Sequence, residues 1–303
     1  MSSLNSEHHH ITRPLDPLGA AIVVGLCLAW GFNQVSVKLA LVDYPPFIQG
    51  TIRSLLAALC VAGWCWLRGI PLFARDGSLK GGLLAGVLFG VEFILIFQGL
   101  LYTTATRATL FLYLAPFFVV LGARIFLPAD RFSPQQWLGL ALSFAGMIVA
   151  FGAPTPAVDP RQLTGDIMMV GAAALWAATT LTIKASRLNA APAEKVMLYQ
   201  LVLSAPMLAV AALVMGERMT AMPSALATAS LAYQIFFVVS ITYVVWFALI
   251  AKYSATRLSA FTFLSPLFGT AAGHFTLGDP LTPAFLLAVA LVAAGLVLVN
   301  RAK

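Results

Sequence analysis

Residues 106–116 read TRATLFLYLAP and residues 256–266 read TRLSAFTFLSP. Thr106-Arg107 precedes Ala115-Pro116 at the spacing by which Thr256-Arg257 precedes Ser265-Pro266. Beyond each proline come a leucine, a short acidic turn and another proline. These are Leu127, Asp130 and Pro134 in the first copy, and Leu277, Asp279 and Pro283 in the second, which is one residue shorter there. A further pair lies upstream. Leu28-Ala29-Trp30-Gly31 resembles Ala174-Leu175-Trp176-Ala177, and in both a lysine, Lys38 or Lys184, follows the tryptophan by eight residues. Ordered pairs of this kind mark an internal repeat, which has to be recognised before the fold is assigned.

The solvent of the fold follows from composition. Hydrophobic residues make up 60% of 303, charged residues 10%, and the mean hydropathy is +0.92. A soluble domain carries roughly 25% charged residues, so lipid has to be the main solvent. A helix needs roughly 20 apolar residues to cross the hydrocarbon. Ten stretches meet that measure: 17–41, 46–67, 79–101, 105–127, 134–151, 164–186, 193–215, 225–252, 256–277 and 282–300. Turn chemistry separates them, as in Asp43-Tyr44-Pro45-Pro46, Arg75-Asp76-Gly77-Ser78 and Gly278-Asp279-Pro280. Strands of a β-barrel would alternate in polarity, and these runs do not. The first sixteen residues are polar, and the first apolar run is long enough to remain as an anchor.

Lys and Arg set the orientation. With the N-terminus in the cytoplasm, the inner segments hold 13 basic residues. The outer ones hold five: Lys38, Arg53, Arg107, Arg161 and Arg218. Both termini are then cytoplasmic. The net charge of +7 is spread as singles between apolar runs, with no basic patch and no interleaved aromatics, so no nucleic-acid partner is expected. Cys27, Cys60 and Cys65 show neither zinc nor disulfide spacing, and His8, His9 and His10 stand in a polar tail that needs no metal to explain it.

Five spans per half is an odd number, so the second half enters from the opposite side. The expected fold is an all-α integral membrane protein of ten transmembrane helices, arranged as two five-helix inverted-topology repeats around a central cavity. Residues 1–16 form an N-terminal tail, 17–153 the first repeat, 154–163 a connection, 164–300 the second repeat and 301–303 a second tail. Alternating-access transporters use this design because the halves can exchange inward-open and outward-open shapes.

On the paired Trp-x7-Lys and Thr-Arg…Pro segments, and on Leu277-Gly278-Asp279-Pro280-Leu281-Thr282-Pro283, residues 17–300 resemble the EamA type of the drug/metabolite transporter superfamily. That last segment is similar to the family's Leu-Gly-Glu-x-Leu-Thr-Pro, and the first-half copy departs from it by one insertion. The resemblance implies ten helices around a central cavity and export of small metabolites across a bacterial inner membrane. Overall the chain looks most like aromatic amino-acid exporters; sugar and cationic-drug carriers belong to the same superfamily. The partners expected are a small-molecule substrate and the bilayer, with no oligomer required.

A carrier site is expected near the midplane where the repeats meet. Trp30, Asn33 and Gln34 share one helix face by spacing, and Trp176, Thr179 and Thr180 repeat it. An indole beside hydrogen-bonding groups suits an aromatic ring with a polar end; packing between helices is the competing reading. Glu92, beside Phe93, is the acidic residue deep in an apolar run, at a cost of about 2.5–3.5 kcal/mol on insertion scales. It could bind a substrate ammonium, carry a coupling proton, or stand protonated against a neighbouring helix. Tyr243 and Trp246 are spaced to form an aromatic wall or ordinary packing. His274 reads as a satisfied polar group near the interface. Pro116 and Pro266, mirrored inside spans 4 and 9, are candidate hinges.

No HExxH, GxSxG or GxxxxGK[ST] motif appears, so neither an intramembrane enzyme nor a nucleotide-driven pump is supported, and no cofactor is expected. A channel would want a continuous polar lining or a ring of charges.

Overall fold

The computed structural model describes residues 15–127, 132–152, 160–277 and 283–301. Within them every element is helical. In the first half these are α1 (Pro17–Ala40), α2 (Pro46–Leu67), α3 (Leu79–Leu100), α4 (Ala105–Leu112), α5 (Ala115–Phe126) and α6 (Pro134–Phe151). They are followed by α7 (Pro160–Ala185), α8 (Ala193–Val214), α9 (Ala225–Ala232), a π-helical segment (Tyr233–Thr242), α10 (Tyr243–Lys252), α11 (Ala255–Phe261), α12 (Leu264–Leu277) and α13 (Pro283–Arg301). Among the described residues nine helical stretches are long and apolar enough to cross a membrane. The chain is a multi-pass membrane protein.

The expected span at 256–277 is not one of the nine. It is present as α11 and α12, interrupted at Thr262 and Phe263. The expected span at 105–127 is interrupted likewise at Tyr113 and Leu114. Proline explains both breaks. Pro116 and Pro266 carry no N–H, so the carbonyls of Leu112 and Thr262, four residues earlier, lose their helical donors. Ser265 N–H turns back to Thr262 O at 2.9 Å instead. A second correction concerns the connection placed at 154–163. Helix α7 starts at Pro160, a residue suited to a first turn, so residues 160–163 are helical. Residues 153–159 lie outside the described residues, as do Asp130, Asp279 and the histidine run.

Helix ends follow from side-chain chemistry. Asp16 Oδ1 accepts from Gly19 N–H at 2.7 Å and opens α1, and Ser133 and Gln136 form a capping box on α6. Thr104 and Ser254 cap α4 and α11 through the N–H groups of Arg107 and Arg257. α2 and α8 end alike. Gly69 (φ 64°) and Gly216 (φ 68°) adopt the left-handed conformation that glycine takes without Cβ strain. The following N–H groups, of Ile70 and Glu217, each return at 2.9 Å to the carbonyl five residues back, Cys65 or Ala212.

Packing joins helices of one half to helices of the other. α3 lies against α7 and α8, α2 against α8 and the π segment, α1 against α12 and α9, α5 against α7, and α6 against α13. Small residues permit the closest approaches. Gly82, Gly86 and Gly90 put α3 on Tyr199, Leu203 and Met207 of α8. Gly139 and Gly295 bring the α6 and α13 backbones together, so that a Cβ on Gly295 would stand 2.4 Å from Gly139 O.

Candidate functional site

Eight rings form an unbroken chain across the middle of the bundle. Phe47 of α2 meets Phe97 of α3 at 5.7 Å, and Phe97, Phe93 and Phe89 follow one another along α3. Phe89 meets Tyr243 of α10 at 6.5 Å, and Tyr243 meets Trp30 of α1 at 5.7 Å. Trp30 stands edge-on to Trp246 at 5.2 Å, and Trp246 stacks on Trp176 of α7 at 6.3 Å. Trp30 and Trp176, paired in sequence, thus both meet one indole, the first edge-on and the second stacked. Trp30 Nε1 donates to Thr242 Oγ1 at 2.9 Å, and the Thr242 hydroxyl donates in turn to Val238 O. The π turns beneath Thr242 set this register. Such widened turns recur at functional sites.

Not every expected residue joins the rings. Thr179 and Thr180 are buried, but their hydroxyls donate to the carbonyls of Leu175 and Trp176 in their own helix. Gln34 is exposed and lies against Gly269 of α12. Asn33 is half-buried, with Oδ1 unpartnered. Pro116 and Pro266 are buried beside the two breaks. Across those breaks Tyr113 and Phe263 face each other at 6.3 Å.

Glu92 is 5% exposed, and its Oε2 has no hydrogen-bonding partner. It is not isolated. Arg53, expected as an outer-end charge, is 5% exposed and holds its guanidinium 4.3 Å from the centre of the Phe93 ring. Arg53 Nε also lacks a partner. Arg53, Glu92 and Tyr243 are neighbours. The signal for Arg53 was its depth: eighth in α2, it stands ~11 Å below the helix start at 1.5 Å per residue.

The other buried charges are satisfied. Arg107 holds Asp166 through Nε, at 3.1 and 3.2 Å, and through Nη2, while Thr103 Oγ1 donates to the same carboxylate at 2.6 Å. Lys184 Nζ donates to Ile250 O and Ala251 O at the end of α10. These lysine and arginine side chains therefore tie helices together.

Polar ties also close both ends. Where α1 runs into α2, Asp43 Oδ2 accepts from Ser224 Oγ at 2.6 Å and from Ser224 N–H at 2.8 Å. Those bonds hold its carboxyl below the usual aspartate range. Nearby, Glu217 accepts the N–H groups of Phe47 and Ile48. Where α2 runs toward α3, Lys195 Nζ donates to Asp76 Oδ2 at 2.8 Å, and that bond, with Ser78, pushes the Asp76 carboxyl well down. Asp16 is held down by Gly19 N–H and then by the Tyr253 hydroxyl, 2.7 Å away.

Apolar spans, two of them broken at prolines, around rings and unpartnered buried charges define a membrane transporter. The chain belongs to the EamA-like transporter family, whose model matches residues 17–152 and again 163–301. A probable amino-acid metabolite efflux pump of Salmonella typhimurium is 27% identical over 89% of this chain and 90% of that protein. An uncharacterized transporter of Archaeoglobus fulgidus is 27% identical over 83% and 86%, and the inner membrane transporter YedA of Escherichia coli, also uncharacterized, 23% over 96% and 93%. One solved crystal structure superposes with a TM-score of 0.80 at 18% identity, covering 93% of this chain and 96% of that one. At that identity the likeness concerns the fold.

Proposed function

We propose that this transporter is a secondary carrier exporting small amino-acid-like metabolites, aromatic amino acids first among them, by alternating access. The observation that carries the reading is the shared indole cluster: Trp30 comes from the first half, and Trp176, Tyr243 and Trp246 from the second. Aromatic faces suit an aromatic solute, and a site built from both halves is remade when they move against each other. Phe93 continues the ring series, Glu92 precedes it in α3, and Asn33 stands one turn beyond Trp30 in α1. In this reading Thr179 and Thr180 shape the wall through their methyl groups. Gln34 belongs to the approach beside α12.

The ten-helix, two-repeat architecture belongs to the same proposal, with halves at 17–153 and 164–300. Three observations favour it: the double match of the family model, the twin closures at Gly69 and Gly216, and packing in which α1 on α12 has its counterpart in α5 on α7. Pro116 and Pro266 are then the hinges of two mirrored gates. Setting aside the buried Lys184, Lys195, Arg53 and Arg107, eleven basic residues remain on the side of the termini against three opposite. That bias favours cytoplasmic termini in a bacterial inner membrane. The amino-acid name of the Salmonella relative supports the substrate class.

Counterflow in proteoliposomes tests the reading. Vesicles preloaded with unlabelled L-phenylalanine should take up labelled L-phenylalanine faster than empty ones, with saturation. A lack of trans-stimulation by every common amino acid contradicts it.

A further inference from the structure

Arg53 and Glu92 differ from every other buried charge described above. Each is nearly sealed from solvent, and each keeps an unpartnered polar atom, Nε and Oε2. No ion pair within 4 Å joins them among the described residues. The Phe93 ring takes one face of the guanidinium. Burying an ion costs several kcal/mol unless its hydrogen bonds are met. Arg107 and Asp166 show how this protein meets that cost when a charge is structural: the fork closes on the carboxylate, and Thr103 supplies a third bond.

The two open charges stand at one level. Arg53 is ~11 Å from the start of α2, and Glu92 ~12 Å from the end of α3, ends that lie on the same side of the bundle. Between them and the indoles runs the ring series Phe93, Phe89, Tyr243.

We propose that Arg53 and Glu92 are the two poles of a site for an α-amino carboxylate. Arg53 takes the carboxylate, Glu92 takes the ammonium, and the substrate's side chain lies along the rings. The proposal rests on the carrier reading and deepens it. The substrate supplies an acceptor for the guanidinium and a donor for the carboxylate, so both orphaned atoms are met at once. Charge-assisted bonds of this kind are roughly twice as strong as neutral ones. With the site empty, the charges balance each other only across a gap.

The test uses the full chain, with three probes competing against labelled L-phenylalanine: L-phenylalanine itself, 2-phenylethylamine, which lacks the carboxylate, and 3-phenylpropionate, which lacks the ammonium. In the wild type both analogues should compete at least about tenfold less well, as expected for loss of one buried charge partner. Arg53→Gln should weaken L-phenylalanine by a similar factor and leave 2-phenylethylamine unchanged, measured by direct binding. Glu92→Gln should spare 3-phenylpropionate instead. Arg53→Lys should recover part of the loss. The unchanged analogue in each variant shows that the protein is folded. Wild-type exchange of L-phenylalanine with undiminished binding in Arg53→Gln overturns the clamp and leaves the carrier reading standing. Equal loss for phenylalanine and its amine also overturns the clamp, because Arg53 would then be supporting the fold. Exchange of no amino acid by the wild type overturns both.

Discussion

α2 and α8 match in length and at both ends. Both run for 22 residues, both begin immediately after a proline, Pro45 or Pro192, and both close on a left-handed glycine with the same returning hydrogen bond. They lie against each other, tied by the Ser54 and Ser204 hydroxyls at 3.2 Å. At the eighth position they part. α2 carries Arg53, while α8 carries Gln200, fully buried, its amide donating to Val196 O at 3.1 Å within its own helix. The same position is thus filled in α8 by an uncharged side chain, whose Oε1 is left without a partner. A charge carried by α2 alone, with its Nε unpartnered, is the one the two-pole proposal assigns to the substrate.

The largest effect expected on stability comes from opening a closed pair. Arg107→Gln should strip Asp166 of its partner and cost about 3 kcal/mol, as for other buried pairs broken on one side. Thermal unfolding in detergent should register this loss. Arg53→Gln, which makes α2 resemble α8, should leave the unfolding temperature unchanged or raise it. A large loss in Arg53→Gln would erase the distinction between the two arginines.

Next come the glycines where the last helices of the two halves meet. A Cβ on Gly295 would stand 2.2 Å from Ser143 Oγ and 2.4 Å from Gly139 O, while one on Gly146 would meet Ala288 O at 2.9 Å. Gly295→Ala should destabilise by about 2 kcal/mol and Gly146→Ala by less, since overpacking a tight contact costs about 1–3 kcal/mol. Equal and negligible effects would mean that α6 and α13 separate readily.

The tryptophans are unequal too. Trp30 spends its N–H on Thr242, whereas Trp176 is held by ring stacking on Trp246. Trp30→Phe should lose about 1 kcal/mol with that bond and raise KM several-fold, and Trp176→Phe should change KM less. A matched response from both would favour a more symmetrical site.

The smallest effect is one of pH. Asp76 titrates below its unfolded value because of Lys195 and Ser78. The stabilisation it provides is complete above the ordinary aspartate range and fades as pH falls through the folded value. Asp76→Asn should flatten that part of the unfolding profile below about pH 4. A profile identical to the wild type would show that the tie to α8 contributes nothing.

The order of spans, the paired motifs and most ring positions were legible in the sequence, because hydrophobic run length and residue spacing are local properties. Trp30 and Trp246 could be placed on helix faces by spacing, but their meeting is long-range and depends on the π turns at Tyr233–Thr242, which no spacing announces. Arg53 was hidden by its chemistry: basic residues at membrane ends set topology, and only its depth in α2 separates it from them. The twin glycines at 69 and 216 were in plain view, yet their meaning needed φ angles. Thr179 and Thr180 lay on the expected face, but a hydroxyl near its own i−4 carbonyl satisfies itself there.

Alternating access requires the ends of the bundle to part in turn and expose the middle. Asp43 and Ser224, joined at 2.6 Å between the α1–α2 turn and the start of α9, offer the most direct handle. Cysteines at both positions, with Cys27, Cys60 and Cys65 replaced, would allow that end to be locked by a disulfide and released by reductant. Counterflow of labelled L-phenylalanine should stop when the lock forms and return on reduction. Exchange at the unlocked rate through a fully cross-linked protein would contradict alternating access at this end.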